Sequence, residues 1–142
     1  MHILIITPPS RINPTSIMAT ATKRQAQATL KKASRSGTAL MQWRRKRRIN
    51  RSTFAKLANC SERKLATYEK APKIPAPVGR EVTAVLRLLD ALSEFIPDEE
   101  LGAWLEASNP GFDGRKPIEV IEAGETDLLW EMIYQTRHGA YG

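Results

Sequence analysis

Residues 49–70, INRSTFAKLANCSERKLATYEK, constrain this chain more than any other stretch. They hold two helix-compatible runs, 51–58 and 62–70, separated by Asn59-Cys60-Ser61. Asn50 and Ser61 each stand just before a run, where a short side-chain oxygen can accept from the orphan N–H groups of a first helical turn. The small Ala55 leaves room for the second helix to cross the first closely. Phe54 and Ala58, and likewise Leu65 and Tyr68, lie about one turn apart on inward faces. Glu62, Arg63, Lys64, Ala66 and Thr67 then point outward. Two short helices, a three-residue turn and a basic outer face describe a helix-turn-helix with a recognition helix. The competing description is a generic helical hairpin whose charged face is merely solvated.

Charge separates the two ideas. Residues 1–80 carry 18 Lys and Arg against two Asp and Glu, a net +16. Residues 81–142 carry four against 13, a net −9. The basic half suits a polyanion, and the acidic half suits some other partner or a self-contact.

Upstream, residues 38–48, TALMQWRRKRR, form a first helix in which Leu40, Met41 and Trp43 supply apolar contacts. Its five consecutive cations, Arg44 to Arg48, are too many to be structural alone, and those left over should flank phosphates, which position a protein without reading sequence. Residues 1–36 are rich in Thr, Ser, Ala, Gln and Lys, with Pro8, Pro9 and Pro14. Composition favours a helix over 19–35, but no apolar stripe would pin it. A flexible basic tail is therefore expected over 1–36, and both Met1 and Met18 fit a translation start.

The pattern of a basic helix, then Phe54-Ala55, then Cys60-Ser61-Glu62-Arg63, then Leu65 and Tyr68-Glu69 resembles the Xre group of DNA-binding domains. The resemblance implies that one of the first helix's arginines, Arg44 or Arg48, pairs with Glu69 at the end of the recognition helix. The unit spans 37–72. Arg63, Lys64 and Thr67 are expected to reach base edges, and Arg51 and Ser61, at helix N-termini, to meet phosphates, joined by Arg44 and Arg45.

Three prolines within 72–77 make a stiff connector, followed by the clearest amphipathic helix, 80–96. Val82, Val85, Leu86, Leu89, Leu92, Phe95 and Ile96 recur there at three- and four-residue steps. Connector and helix together occupy 73–97. Beyond lie a helix over 98–107 with Leu101, Trp104 and Leu105, and a turn at Ser108-Asn109-Pro110-Gly111. A loop over 112–116, a helix over 118–123 ended by Gly124, and a last helix from Thr126 to Arg137 with Leu128, Leu129, Met132 and Ile133 inward complete the chain. Apart from the apolar run at 2–6 there is no strand signal, so the chain is expected to be all-α.

This second half has its own likeness. Trp104-Leu105, Asn109-Pro110, Gly114, Pro117-Ile118, Val120-Ile121 and Gly139 resemble the toxin-binding domain of Xre/MbcA/ParS antitoxins, over 98–142. In that family a helix-turn-helix precedes the domain, as here. The resemblance implies a type II antitoxin that represses its own promoter DNA and covers the active-site entrance of a RES-domain, NAD-degrading toxin. Trp104, Asn109 and Pro117 read as builders of the domain. Toxin contacts are expected from the last helix and tail: Trp130, Tyr134, Arg137, His138 and Tyr141. The alternative is a stand-alone dimeric transcriptional regulator with no toxin partner.

Enzyme readings fare poorly. His2 and His138 lie near opposite ends, no Cys/His cluster has metal-ligand spacing, and Gly111 and Gly114 follow no strand. No enzyme activity, metal or cofactor is expected. The single Cys60 allows no internal disulfide and fits a reducing compartment. No stretch approaches eighteen apolar residues, and the run at 2–6 has no basic flank, so neither a membrane span nor a signal peptide is expected and the cytoplasm is the default. One helix-turn-helix reads few base pairs; a homodimer is expected, with Val85, Leu89 and Leu92 or the C-terminal domain as its seam.

Overall fold

The computed structural model describes the backbone of residues 16–139 and the side chains of residues 23–139. Among the described residues every regular element is helical, so the all-α expectation holds. The order is α1 (Ser16–Ala33), α2 (Gly37–Lys46), α3 (Arg51–Leu57), α4 (Glu62–Lys70), α5 (Ala76–Leu92), α6 (Asp98–Leu105), a 3-10 turn at Pro110–Phe112, α7 (Pro117–Glu122) and α8 (Thr126–Arg137). The apolar run at 2–6, the early prolines and Tyr141 lie outside the described residues. None of the described helices is long and apolar enough to cross a membrane.

Side-chain caps set the starts of the first half. Ser36, Asn50 and Ser61 accept from the backbone N–H of Ala39, Thr53 and Lys64, at 3.4, 2.8 and 3.1 Å. Each satisfies one donor that a helix N-terminus otherwise leaves open. α5 starts differently. It begins at Ala76, not at residue 80, because Pro77 in its first turn lacks only an N–H that would have no intrahelical partner there. The helix ends at Leu92 rather than 96: the Ser93 hydroxyl donates to the Leu89 carbonyl at 3.0 Å, and Phe95 and Ile96 belong to the following turn. α6 likewise stops at Leu105, two residues early.

α5 is the axis of the molecule. Its buried Val82, Leu86, Leu88, Leu89 and Leu92 join Leu40 and Trp43 of α2, Phe54 of α3, Leu65 of α4 and Leu129 and Ile133 of α8 in one hydrophobic cluster. Burying such a side chain is worth about 1.5–3 kcal/mol, so this shared core ties both halves of the chain together. No separation between cores falls at 72/73 or 97/98. Leu89 and Leu92 are fully buried inside this single chain, which removes the Val85/Leu89/Leu92 stripe as a dimer seam.

Two glycines mark where backbones meet. A Cβ on Gly102 of α6 would lie 2.0 Å from the Arg48 carbonyl oxygen in the α2–α3 turn, and one on Gly37 would lie 2.1 Å from the Tyr68 carbonyl oxygen. Only a residue without Cβ permits either approach. The Gly102 contact is a direct seam between the two halves, and its N–H donates to the Arg47 carbonyl at 3.2 Å.

The expected loose tail is corrected over its described part. Residues 16–33 are one helix; its Ala33 is fully buried and Leu30 packs on the core. The Arg35 carbonyl accepts from Ile74 N–H at 2.9 Å, just after α4. Two apolar residues near the end of the helix supply the pin that a stripe along its whole length would otherwise provide.

Candidate nucleic-acid interface

α4 presents one face to the core and one to solvent. Leu65 and Glu69, four residues apart, are buried, and Tyr68 is half-buried beside them. Glu62, Arg63, Lys64 and Thr67 are exposed, as their spacing requires. The Thr67 hydroxyl donates to the Arg63 carbonyl at 3.1 Å, which leaves its lone pairs facing outward. The helix dipole puts partial positive charge at the α4 N-terminus, next to Arg63 and Lys64, where Ser61 satisfies one of the open N–H groups.

What holds α4 in place is a buried ion pair. Arg44 of α2 grips Glu69 in bidentate fashion, Nε to Oε2 at 2.7 Å and Nη2 to Oε1 at 2.9 Å, and its Nη1 donates to the Ile49 carbonyl at 3.0 Å. The planar guanidinium fork matches a carboxylate as a lysine cannot. Arg51 of α3 adds a third donor to Glu69, Nε to Oε1 at 3.2 Å, with its side chain partly in solvent. One carboxylate therefore fixes α2, α3 and α4 against each other.

This geometry sorts the basic run. Arg44 is buried and committed to Glu69, so it is a positioning residue for α4 and not a surface contact, correcting its inclusion among DNA contacts. Of the two partners expected for Glu69, it is Arg44 and not Arg48. Arg47 is withdrawn too: its guanidinium lies 3.6 Å over the Trp43 ring, Nη1 donates to the Trp43 carbonyl at 3.2 Å, and Nε faces Asp98 of α6 at 3.6 Å. Burial pulls its pKa down, while Asp98 and Asp90 pull it up. Arg45, Lys46 and Arg48 remain exposed. The separating signal was present in the sequence. Leu40, Trp43, Arg44 and Arg47 recur at three- and four-residue steps, so the inward stripe runs on through two arginines.

Cys60 sits half-buried in the α3–α4 turn against the core. Burial pushes its thiol pKa up, against the opposing pull of Lys64. A raised thiol is a poor nucleophile, and a half-buried one against the core acts as a small apolar filler. Asn59 before it takes the left-handed conformation, φ 55°, one of the few residue types that tolerate it.

The second half builds from its loop. Asn109 is buried; its side chain accepts from Gly111 N–H at 2.8 Å and its carbonyl from Phe112 and Gly114 N–H. Asp113 and Gly114 follow at φ 57° and 85°. Pro117, also buried, opens α7, where the Lys116 N–H donates to Glu119 Oε1 at 2.8 Å. Trp104 is half-buried against the core. These residues shape the domain, in line with their reading as builders.

On α8 the inward positions are Leu129, Met132 and Ile133. Leu128, expected inward, is 41% exposed, because that stripe leaves it about one residue's rotation off the core face. With Trp130 at 37% and Tyr134 at 59%, it completes the set of exposed large hydrophobics among the described residues. All three lie on one helix. The His138 and Tyr134 rings touch in a tilted arrangement, centroids 4.2 Å apart and planes at 44°. Arg137 is not in a free tail: its guanidinium pairs with Glu94 beyond the end of α5.

Other openings are modest. Two shallow grooves of about 240 Å³ flank the Ala58-Asn59 corner, one lined by Val85, Leu88 and Ile121, the other by Cys60, Lys64 and Tyr68. Both fall below the roughly 300–1,000 Å³ of ordinary small-molecule sites. Among the described residues no group of three or more His, Cys, Asp or Glu is placed to hold a metal ion. No family profile, curated protein or solved structure matches the chain.

Proposed function

We propose that this protein is a DNA-binding autorepressor that reads its promoter with α4 and docks a protein partner through α8, the pairing of tasks found in a type II antitoxin. The observation that carries the reading is the outer face of α4. Arg63, Lys64 and Thr67 stand exposed on a capped helix whose inner face is clamped by Glu69. A short helix held rigidly by its neighbours, with donors projecting from its first turns, fits the major groove. Exposed Arg45, Lys46 and Arg48, with Arg51 and Ser61 at helix N-termini, supply phosphate contacts around it.

The partner reading rests on the α8 face formed by Trp130, Tyr134 and His138, which lie four residues apart, with exposed Leu128 on the other side of the buried stripe. Exposed aromatics clustered on an otherwise polar, acidic half mark a protein contact more than a nucleic-acid one. That this partner is a RES-domain toxin rests on the family resemblance of the Trp104, Asn109, Gly114, Pro117 and Gly139 pattern. A stand-alone regulator would turn the same α8 face toward its own copy, which keeps homodimerisation as the competing use.

Arg63→Ala should weaken binding to the cognate duplex by about 1–3 kcal/mol and relax its preference. Arg51→Ala should weaken all duplexes alike and flatten the salt dependence. The double variant Trp130→Ala, Tyr134→Ala should bind DNA as the parent does, yet fail to protect cells expressing the adjacent toxin. Removing residues 137–142 should weaken protection as well, at a stability cost of only about 0–1 kcal/mol for the exposed Arg137–Glu94 pair. Full protection by the double variant excludes α8, and a parent protein that binds no adjacent toxin favours the stand-alone regulator.

A further inference from the structure

From the placement and charge of α1 we infer that this helix is a second DNA-binding element, an arm lying along the phosphate backbone beside the site read by α4. The inference rests on the DNA-binding reading above and extends it. Residues 23–32 carry Lys23, Arg24, Lys31 and Lys32, all exposed, and α1 contains no Asp or Glu. None of the four is ion-paired among the described residues. Lys31 and Lys32 favour the negative end of their own helix dipole. Lys23 and Arg24, two turns earlier, have no such local use.

Packing supplies no other role for this stretch. From residue 23 to 29 every side chain but the half-buried Ala26 is exposed, and only Leu30 and Ala33 join the core. An eighteen-residue helix is about 27 Å long, and along residues 23–29 its side chains other than Ala26 stand clear of the body. Its root, however, is fixed beside α4. The Arg35 carbonyl accepts from Ile74 N–H, and Gly37 N–H donates to the Ala71 carbonyl, the residue that caps the end of α4. A cationic rod attached there adds to the positive charge of the half of the chain that carries α4. At 3.4 Å per base step its length matches about eight base pairs of duplex. Charge complementarity selects DNA as its occupant, since a rod with few apolar side chains offers little to a protein core or a bilayer interior.

Phosphate contacts are blind to sequence but release counterions, so the arm should appear in the salt dependence and not in the selectivity. The test uses the full chain with Lys23, Arg24, Lys31 and Lys32 all replaced by Gln, which keeps helix propensity and touches no core residue. Affinity for the selected duplex and for a random duplex of equal length is measured between 50 and 300 mM KCl, as chosen assay conditions. With all four contacts made, the slope of log K against log salt should become shallower by about 3 to 4. The ratio of the two affinities should stay within about twofold. A hydroxyl-radical footprint should lose protected sugars on one flank. Lys23→Gln alone should change the slope by about 1, which guards against a misfolded multiple variant. Arg63→Ala serves as the contrast: it should lower the affinity ratio with little effect on the slope. If the parent binds DNA and Arg63→Ala behaves so, but the Gln variant keeps its slope within 1 and its full footprint, the arm is refuted while α4 stands. Gln variants that lose self-association or vesicle binding, with the DNA slope intact, overturn it equally. A parent that binds no duplex removes both readings.

Discussion

Glu69→Ala deletes the acceptor for three guanidinium hydrogen bonds and leaves Arg44 buried with a single partner, the Ile49 carbonyl. The Arg44 and Glu69 side chains are 6% and 1% exposed, so water cannot replace what is lost. Removing one member of such a buried pair costs about 3–5 kcal/mol, mostly from the stranded charge. The Arg51 contact adds little, since that side chain is 41% exposed and screened. For a chain of this size the loss should lower Tm by roughly 10–20 °C. Arg44→Met should cost a comparable amount by stranding Glu69. The double variant Arg44→Met, Glu69→Leu should recover most of the stability, because an apolar pair of similar volume needs no compensating charge. Urea denaturation of the parent, Arg44→Met, Glu69→Leu and the double variant closes the cycle and gives the coupling energy, expected at about 2 kcal/mol or more. A cost below about 1 kcal/mol for Glu69→Ala would mean that the pair behaves as a solvated one and that α4 is held by packing alone. The double variant should also retain DNA affinity to the extent that it retains the placement of α4.

Gly102→Ala should destabilise the fold by about 1–3 kcal/mol, since its Cβ would meet the Arg48 carbonyl at 2.0 Å and the backbone there must move; unchanged thermal unfolding would contradict the seam between the halves. Asp90 is held above its ordinary pKa chiefly by burial, against the opposing pull of Arg47. Its proton is thus bound more tightly in the folded state, so this contribution to stability is full below the unfolded pKa, near 3.8, and is lost as pH rises through the folded value. Asp90→Asn should flatten that part of the stability–pH curve, and superimposable curves for the two proteins would refute it. Cys60 should react with iodoacetamide at pH 8 several-fold more slowly than free cysteine, because burial raises its thiol; equal rates would place the turn in solvent.

Much of the helical organisation was legible because its signals are local. Asn50 and Ser61 announce the starts of α3 and α4 by cap chemistry that depends on three residues. Gly124, in the left-handed conformation at φ 79°, does the same for the end of α7. What escaped was non-local. The resemblance narrows the partner of Glu69 to Arg44 or Arg48 without choosing between them, and nothing near Arg47 in sequence says that Asp98 lies across the fold. α1 looks like a tail in sequence because its two anchoring residues lie at one end and their partners on other helices. The Leu89 and Leu92 stripe reads first as core and second as a seam between copies, since periodicity reports that a face is covered but not by what. On α8, Leu128 and Leu129 are adjacent and alike, and only the placement of the core chooses between them.

The central claim is that the outer face of α4 reads bases. Selection of bound duplexes from a random pool, run in parallel with the parent and with Arg63→Ala, tests it most directly. The parent should enrich a short motif, and Arg63→Ala should enrich the same motif with the preference lost at one or two adjacent positions, each worth about 1–3 kcal/mol. A parent that enriches no motif, or an Arg63→Ala variant that enriches the parent's motif undiminished at every position, would contradict it.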